Sequence, residues 1–313
     1  MTSKSSSQKI SIVDVGPRDG LQNEDVILSV EARLEFIRRL VRGGLKKLEV
    51  GAFVSPKWVP QMVGSEEVIT KILQEQRAGQ IAADVEFSAL VPNLRGMEQA
   101  LAAGLKHVAV FGSASETFSQ ENINCSIDES LNRFEKIVAM AQPQKIKVRG
   151  YISMCFGCPF EGEISEDRVV ELVKRYHEMG IYEVSIGDTI GVADPAQVRR
   201  LVSRLIQAIG VGNLAMHFHD TRGTALANVL ASLELGIRVF DSSLGGLGGC
   251  PHAPSATGNL ATEDAVYMLE RMGYSTGLNL ASLLETNHWV TSQVGHELPS
   301  RLGKAGIPVA KNV

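Results

Sequence analysis

The run Met216-His217-Phe218-His219-Asp220 sets two imidazoles two positions apart in a stretch of strand-forming residues. In a strand, side chains at i and i+2 share a face, so His217 and His219 point one way and Phe218 the other. Two neutral imidazoles on one face chelate a divalent cation when oxygen donors complete the shell. Without a cation, they can instead satisfy each other's hydrogen bonds. A carboxylate is available from Asp19 in V-D-V-G-P-R-D-G-L-Q-N-E, where Gly16, Pro17 and Gly20 impose a fixed turn. Taken alone, Asp-Gly is a common turn pair. Asn259, in A-T-G-N-L-A-T-E-D, is either a further oxygen ligand or the cap of the helix after it. Such a donor set with open positions suits Mg2+ or Mn2+, and zinc less because no thiolate is clearly in the shell. Two histidines and one carboxylate also match the ligand count of an iron oxygenase, which stays a competitor on ligand type.

The second stretch able to do chemistry is G-G-L-G-G-C-P-H, residues 245–252. It reads as a linker, a phosphate cradle, or a loop that carries Cys250 to a substrate. Flanking glycines favour the last, because a thiol that moves protons must approach only when substrate is bound. A nucleophilic thiol would need a base, for which His252 is the close candidate. Cys155 and Cys158 form C-F-G-C, a spacing also used in redox and zinc chemistry. No second C-x-x-C completes a zinc site, so a reduced pair beside a pocket is expected. Four cysteines in 313 residues do not make a disulfide framework.

What must position these groups is a series of alternating elements. Strand-like runs fall at 10–16, 47–53, 85–91, 107–113, 147–154, 182–189, 214–220 and 239–245. Segments of helical period lie between them, among them 30–42, 97–103, 166–179, 195–209 and 224–235. Several end at a glycine suited to a helix terminus: Gly43, Gly104, Gly180, Gly210 and Gly236. Asp194-Pro195 pairs an N-cap residue with proline at the first helical position. Eight β/α units predict an α/β fold, a (β/α)8 TIM barrel, as one catalytic domain over 1–313 with extra C-terminal helices from about Gly277. An open doubly wound sheet is disfavoured because G-P-R-D-G-L, not G-x-G-x-x-G, follows the first strand. In a closed barrel the active site sits at the C-terminal strand ends. Arg18, Asp19, Glu49, His217, His219, Asp220 and the 245–252 loop therefore belong to one rim.

Composition narrows the partners. The chain is 44% hydrophobic with a net charge of -4, which fits a buried core and gives no electrostatic reason to bind nucleic acid or an anionic membrane. No apolar run approaches eighteen residues, so no membrane span is expected. The N-terminal M-T-S-K-S-S-S-Q-K-I has no apolar signal segment, and A-K-N-V carries no peroxisomal ending, so a cytoplasmic enzyme is expected.

Six motifs together resemble the 3-hydroxy-3-methylglutaryl-CoA lyase family: V-G-P-R-D-G-L-Q-N-E (15–24), E-V-G-A-F-V-S-P-K-W-V-P-Q-M (49–62), G-C-P-F-E-G (157–162), G-D-T-I-G (187–191), H-F-H-D-T (217–221) and G-G-L-G-G-C-P-H-A-P-S-A-T-G-N (245–259). The resemblance implies a metal-dependent lyase that splits an acyl-CoA substrate into acetyl-CoA and acetoacetate, as in leucine degradation and ketone body formation. It implies metal ligands at Asp19, His217, His219 and Asn259. Arg18 and Cys250 would act in catalysis, with Glu49, Asp188 and Glu263 supporting the site, in a homodimer. Two enzyme alternatives stay open, a lyase for a longer 3-hydroxy-3-alkylglutaryl-CoA and a Claisen-type synthase. The R-D-G and H-F-H-D pieces are shared with isopropylmalate and homocitrate synthases. A non-enzymatic metal-binding protein would leave Arg18 and Cys250 without a purpose.

Overall fold

The computed structural model describes residues 8–250 and 253–308, without the side chains of Cys250 and of 253–257; Pro251 and His252 lie outside the described residues. Eight parallel strands close a barrel in sequence order: β1 (Ser11–Asp14), β2 (Lys47–Ala52), β3 (Glu86–Leu90), β4 (His107–Ser113), β5 (Lys147–Ser153), β6 (Glu183–Asp188), β7 (Leu214–Phe218) and β8 (Val239–Ser242). β1 completes the ring against β8, with Ser11 opposite Val239 and Asp14 opposite Ser242.

Helices α1 (Val30–Arg42), α2 (Ser65–Arg77), α3 (Leu94–Ala103), α4 (Glu116–Ile123), α5 (Ile127–Ala141), α6 (Glu166–Glu178), α7 (Pro195–Ile209), α8 (Ala225–Glu234) and α9 (Thr262–Arg271) surround the barrel. The local chemistry that makes them is plain in α1. Leu34, Ile37 and Leu40 recur at helical spacing and, with Phe36, are fully buried. Each such side chain stabilises the fold by about 1.5–3 kcal/mol. Ser29 starts the helix by accepting the Ala32 N–H, a cap worth about 1 kcal/mol. The helix stops at Arg42 as expected, with Gly43 as its C-terminal cap in a right-handed backbone conformation. Gly44, at φ 98°, makes the left-handed turn, and a Cβ there would lie 2.8 Å from the Gly277 carbonyl. α7 starts as expected, with the Asp194 carboxylate accepting the amides of Ala196 and Gln197.

Two further helices, α10 (Leu280–Val294) and α11 (Arg301–Ala305), form the expected C-terminal addition. Trp289 of α10 packs on α1, its ring 6.4 Å from that of Phe36 and 4.9 Å from the Arg39 guanidinium carbon. Among the described residues, no helix is long and apolar enough to cross a membrane.

The mouth departs from the expected strand ends. β7 stops at Phe218 and β8 at Ser242, short of Asp220 and Gly245. His219 instead makes an antiparallel bridge with Asn259, and Gly245 turns at φ 70°, a backbone no strand residue adopts. The glycine-rich stretch continues as an antiparallel pair, β9 (Gly249–Cys250) with β10 (Ala253–Thr257), so it is a hairpin within the eighth unit and not a linker.

Candidate active site

Directly after β1 the chain makes a single π-helical turn, Gly16–Gly20, in which the amides of Arg18, Asp19 and Gly20 all donate to the Val15 carbonyl. Asp14 fixes its start: Oδ1 accepts the Gly16 N–H at 2.9 Å and Oδ2 accepts from Thr262 Oγ1 at 2.7 Å. Burial pushes the Asp14 carboxyl up to about 7 against these hydrogen bonds. A Cβ on Gly20 would meet Ser243 Oγ at 2.7 Å and Leu247 Cβ at 2.9 Å. Glycine thus lets the turn press against the chain leaving β8, and the turn presents Arg18 and Asp19 at the barrel mouth.

Arg18 is buried, its Nε donating to Glu49 Oε1 and its Nη1 to Asp19 Oδ1 at 2.6 Å. Glu49, fully buried on β2, also accepts from the Tyr151 hydroxyl at 3.0 Å. Burial alone would make the guanidinium easier to deprotonate, but Glu49 and Asp19 overcome this and raise its pKa. Two carboxylates therefore hold one cation in a fixed plane.

Asp19, His217 and His219 each offer one ligand atom, all within 4.8 Å of one another. The two imidazole Nε2 atoms are 3.2 Å apart. Donors about 2.1 Å from one octahedral cation sit about 3 Å from each other, so this spacing suits a shared shell. A mutual hydrogen bond also accounts for the two Nε2 atoms, but it does nothing for Asn259. That amide donates to Asp19 Oδ2 at 2.9 Å and to the Leu247 carbonyl at 3.1 Å, while its buried Oδ1 has no hydrogen-bond partner. An unpartnered buried acceptor beside a carboxylate and two imidazoles fits a divalent cation. The charge states agree. Burial would raise Asp19, but Arg18 and the histidines hold it down to about 2, while burial and His217 keep His219 neutral, with its pKa near 3.

Below the ligands lies a charged column that the sequence reading did not assign. In the β7–β8 register Asp241 lies opposite His217, and its Oδ2 comes within 3.3 Å of His217 Nδ1. Asp241 also accepts two N–H groups of Arg149, at 2.8 and 3.2 Å, and the Ser185 hydroxyl at 2.6 Å. Arg149 in turn reaches Glu183 at 2.7 Å, its neighbour in the β5–β6 register, and lies 4.9 Å from the Tyr151 ring centre. Burial opposes the Asp241 charge, yet Arg149 and His217 hold its pKa at about 2. Barrel interiors are normally filled by branched apolar side chains. Arg149, Glu183 and Asp241 at inward positions of short apolar strands were the available signal, since such residues are rarely buried unless paired.

Asp188 and Glu263 stand beside this cluster as holders of loops. The Asp188 carboxylate, raised to about 6 by burial, accepts the Val192 and Ala193 amides at 2.9 and 3.1 Å, and its carbonyl accepts the His219 N–H. Glu263 accepts the Gly245 N–H at 2.9 Å. The Cys250 backbone lies in β9, close in sequence to Gly248, whose added Cβ would come 2.8 Å from Asn259 Nδ2. Cys155 and Cys158 are buried free thiols that donate to different partners, the Ile152 carbonyl and Ser115 Oγ. Burial pushes Cys155 up to about 12, which leaves it protonated and unreactive.

A family model described as HMGL-like matches residues 9–290. Human mitochondrial hydroxymethylglutaryl-CoA lyase is 48% identical over 298 residues, covering 95% of this chain and 90% of that protein. The crystal structure of hydroxymethylglutaryl-CoA lyase from Pseudomonas aeruginosa superposes with a TM-score of 0.90 at 47% identity, covering 96% of this chain and 97% of the other. An HMG-CoA lyase from Acinetobacter baumannii, in complex with coenzyme A and 3-methylmalate, gives a TM-score of 0.90 at 39% identity over 100% of this chain and 99% of that one. With its eight-stranded barrel, its Asp-His-His cluster and this likeness along nearly the whole chain, the protein belongs to the HMGL-like family, that of the hydroxymethylglutaryl-CoA lyases.

Proposed function

We propose that this protein is a divalent-metal-dependent carbon-carbon lyase that cleaves 3-hydroxy-3-methylglutaryl-CoA between C2 and C3, releasing acetyl-CoA and acetoacetate. The observation that carries the reading is the placing of Arg18, pinned by Glu49, next to Asp19, whose carboxylate converges with His217 and His219. Family membership and the coenzyme A complex of a relative support the acyl-CoA substrate.

Asp19, His217, His219 and Asn259 would hold Mg2+ or Mn2+. The ion, when bound, supplies a Lewis acid that makes the C3 hydroxyl easier to ionise. Cleavage removes the hydroxyl proton, forms the C3 carbonyl and leaves the electron pair of the C2–C3 bond on the acetyl-CoA enolate, which then takes a proton at C2. Arg18 stabilises the charge that develops on the thioester oxygen. Its plane is set beforehand by Glu49 and Asp19, so little reorganisation is needed as charge appears. Cys250 either accepts the hydroxyl proton or returns one to C2. Asp188 and Glu263 support these groups through the loops they hold. The same proposal has the chain acting as a single catalytic domain, in a homodimer, in the cytoplasm.

The test is acetoacetate release from 3-hydroxy-3-methylglutaryl-CoA by protein stripped with a chelator and then supplied with Mg2+ or Mn2+. Loss and recovery of activity are expected. Full activity in metal-free protein would remove the ligand assignment. If acetyl-CoA is instead consumed with a 2-oxo acid and the lyase reaction is absent, the synthase reading replaces this one.

A further inference from the structure

The glycine-rich stretch leaves the barrel at Gly245, and both backbone groups of that residue are held by elements outside the strands. Its N–H donates to Glu263 Oε2 at 2.9 Å, and the other oxygen of that carboxylate accepts from Asn287 Nδ2 at 2.5 Å. Its carbonyl accepts the Ser300 N–H at 3.0 Å, and the Ser300 hydroxyl is tied to Asp264 at 3.2 Å. The packing is equally close. A Cβ on Gly245 would lie 2.3 Å from Leu298 Cδ1, and one on Gly246 would lie 2.9 Å from Pro299 Cγ. Four residues on, at Gly249, an added Cβ would meet none of the described atoms within 4 Å, and the chain there enters the β9–β10 pair. The clamp therefore grips the base of the loop at Gly245 and Gly246, ahead of the β9–β10 pair that carries Cys250.

Asn287 reaches this clamp from α10, through Glu263. It is buried on α10 and wedged against Gly303 of α11, where an added Cβ would come 2.8 Å from Asn287 Nδ2. We propose that Asn287 is a positioning residue for the glycine-rich loop: by holding Glu263 it fixes the Gly245 backbone, and with it the direction in which the chain runs to Cys250. This rests on the catalytic role given to Cys250 above. Removing the amide leaves a buried carboxylate oxygen without its donor, which drives that carboxyl toward its neutral form, a weaker acceptor for the Gly245 N–H. The appended helices thereby become part of the catalytic apparatus without touching substrate.

Two variants separate positioning from general loosening of α10. Asn287→Ala removes the link to Glu263, whereas Asn279→Ala removes the N-cap of the same helix, a bond to the Ser282 amide at 3.1 Å far from the clamp. The readouts are kcat, KM, the Mn2+ dissociation constant and the rate at which iodoacetamide alkylates Cys250, followed by peptide mass spectrometry. For Asn287→Ala, kcat is expected to fall at least tenfold and Cys250 alkylation to quicken at least threefold. KM and Mn2+ affinity should stay within threefold, because Asp19 is held in the turn after β1, His217 on β7 and His219 by its bridge to Asn259. Asn279→Ala should keep kcat within twofold. Should Asn287→Ala fail to fold, Asn287→Leu keeps the branched shape, removes the donor without adding a charge beside Glu263 and carries the same expectations. An unchanged alkylation rate and kcat overturn the proposal, as does an equal loss of turnover in Asn279→Ala. Cys250→Ser measured in parallel keeps the two ideas apart: normal turnover there sinks the role of Cys250, while the alkylation rates still decide whether Asn287 holds the loop.

Discussion

Replacing Asp241 by asparagine tests how the barrel interior prepares the histidines. Asp241 faces His217 Nδ1 at 3.3 Å and is itself fixed by two bonds from Arg149 and one from Ser185. A carboxylate behind a ligating imidazole fixes its tautomer and orientation, and its loss typically weakens metal binding by about 10–100-fold, or about 1.4–2.7 kcal/mol. Stability falls as well. The carboxyl drops from its ordinary 3.8 to about 2 on folding, because Arg149 and His217 outweigh burial. A depressed carboxyl stabilises the fold above its unfolded pKa and loses that contribution as pH falls toward 2. At pH 7 the shift corresponds to about 2 kcal/mol. Arg149 keeps Glu183 at 2.7 Å in the variant, so the cost should stay below the roughly 3–5 kcal/mol of a fully broken buried pair. Calorimetric titration of metal-stripped protein with Mn2+, together with thermal unfolding, reads both effects. An Asp241→Asn variant that binds Mn2+ within twofold of the parent would show that Asp241 does not orient His217, and the reasoning would fall.

Three more outcomes are expected. Arg18→Gln should lower kcat by roughly 10²–10³ with the fold retained, whereas a weaker KM at unchanged kcat would reduce Arg18 to a binding residue. Cys250→Ser should bind Mn2+ normally and lose roughly 10²–10⁴ in turnover; near-normal rates would end its proton-transfer role. Asp14, raised by burial from 3.8 to about 7, contributes most to stability when protonated, below pH 4, and that contribution is lost as pH rises through 7. Asp14→Asn should therefore flatten the stability profile between pH 4 and 7 in denaturant unfolding; an unchanged slope would contradict the shift.

Much of this architecture was legible in the residues alone because its causes are local. The limits of α1 and α7 agree with the helical period and its caps, since both depend on backbone geometry within a few residues. The shared face of His217 and His219 follows from the strand period of two, and the placing of Arg18 and Asp19 at the mouth follows from a turn at the end of β1. The strand ends at the mouth were less legible, because His219 and Gly245 answer to partners in other segments, Asn259 and Ser300.

What only the tertiary structure decided are the meetings between distant residues. Arg149 and Asp241 are 92 positions apart and touch because ring closure sets the register of every strand. His217 meets Asp241, and Arg149 meets Glu183, by that same register. The grip of Glu263, Asn287 and Ser300 on Gly245 depends on how the last helices pack, which no local pattern specifies. Periodicity determines which face a side chain shows; closure and packing determine what it finds there.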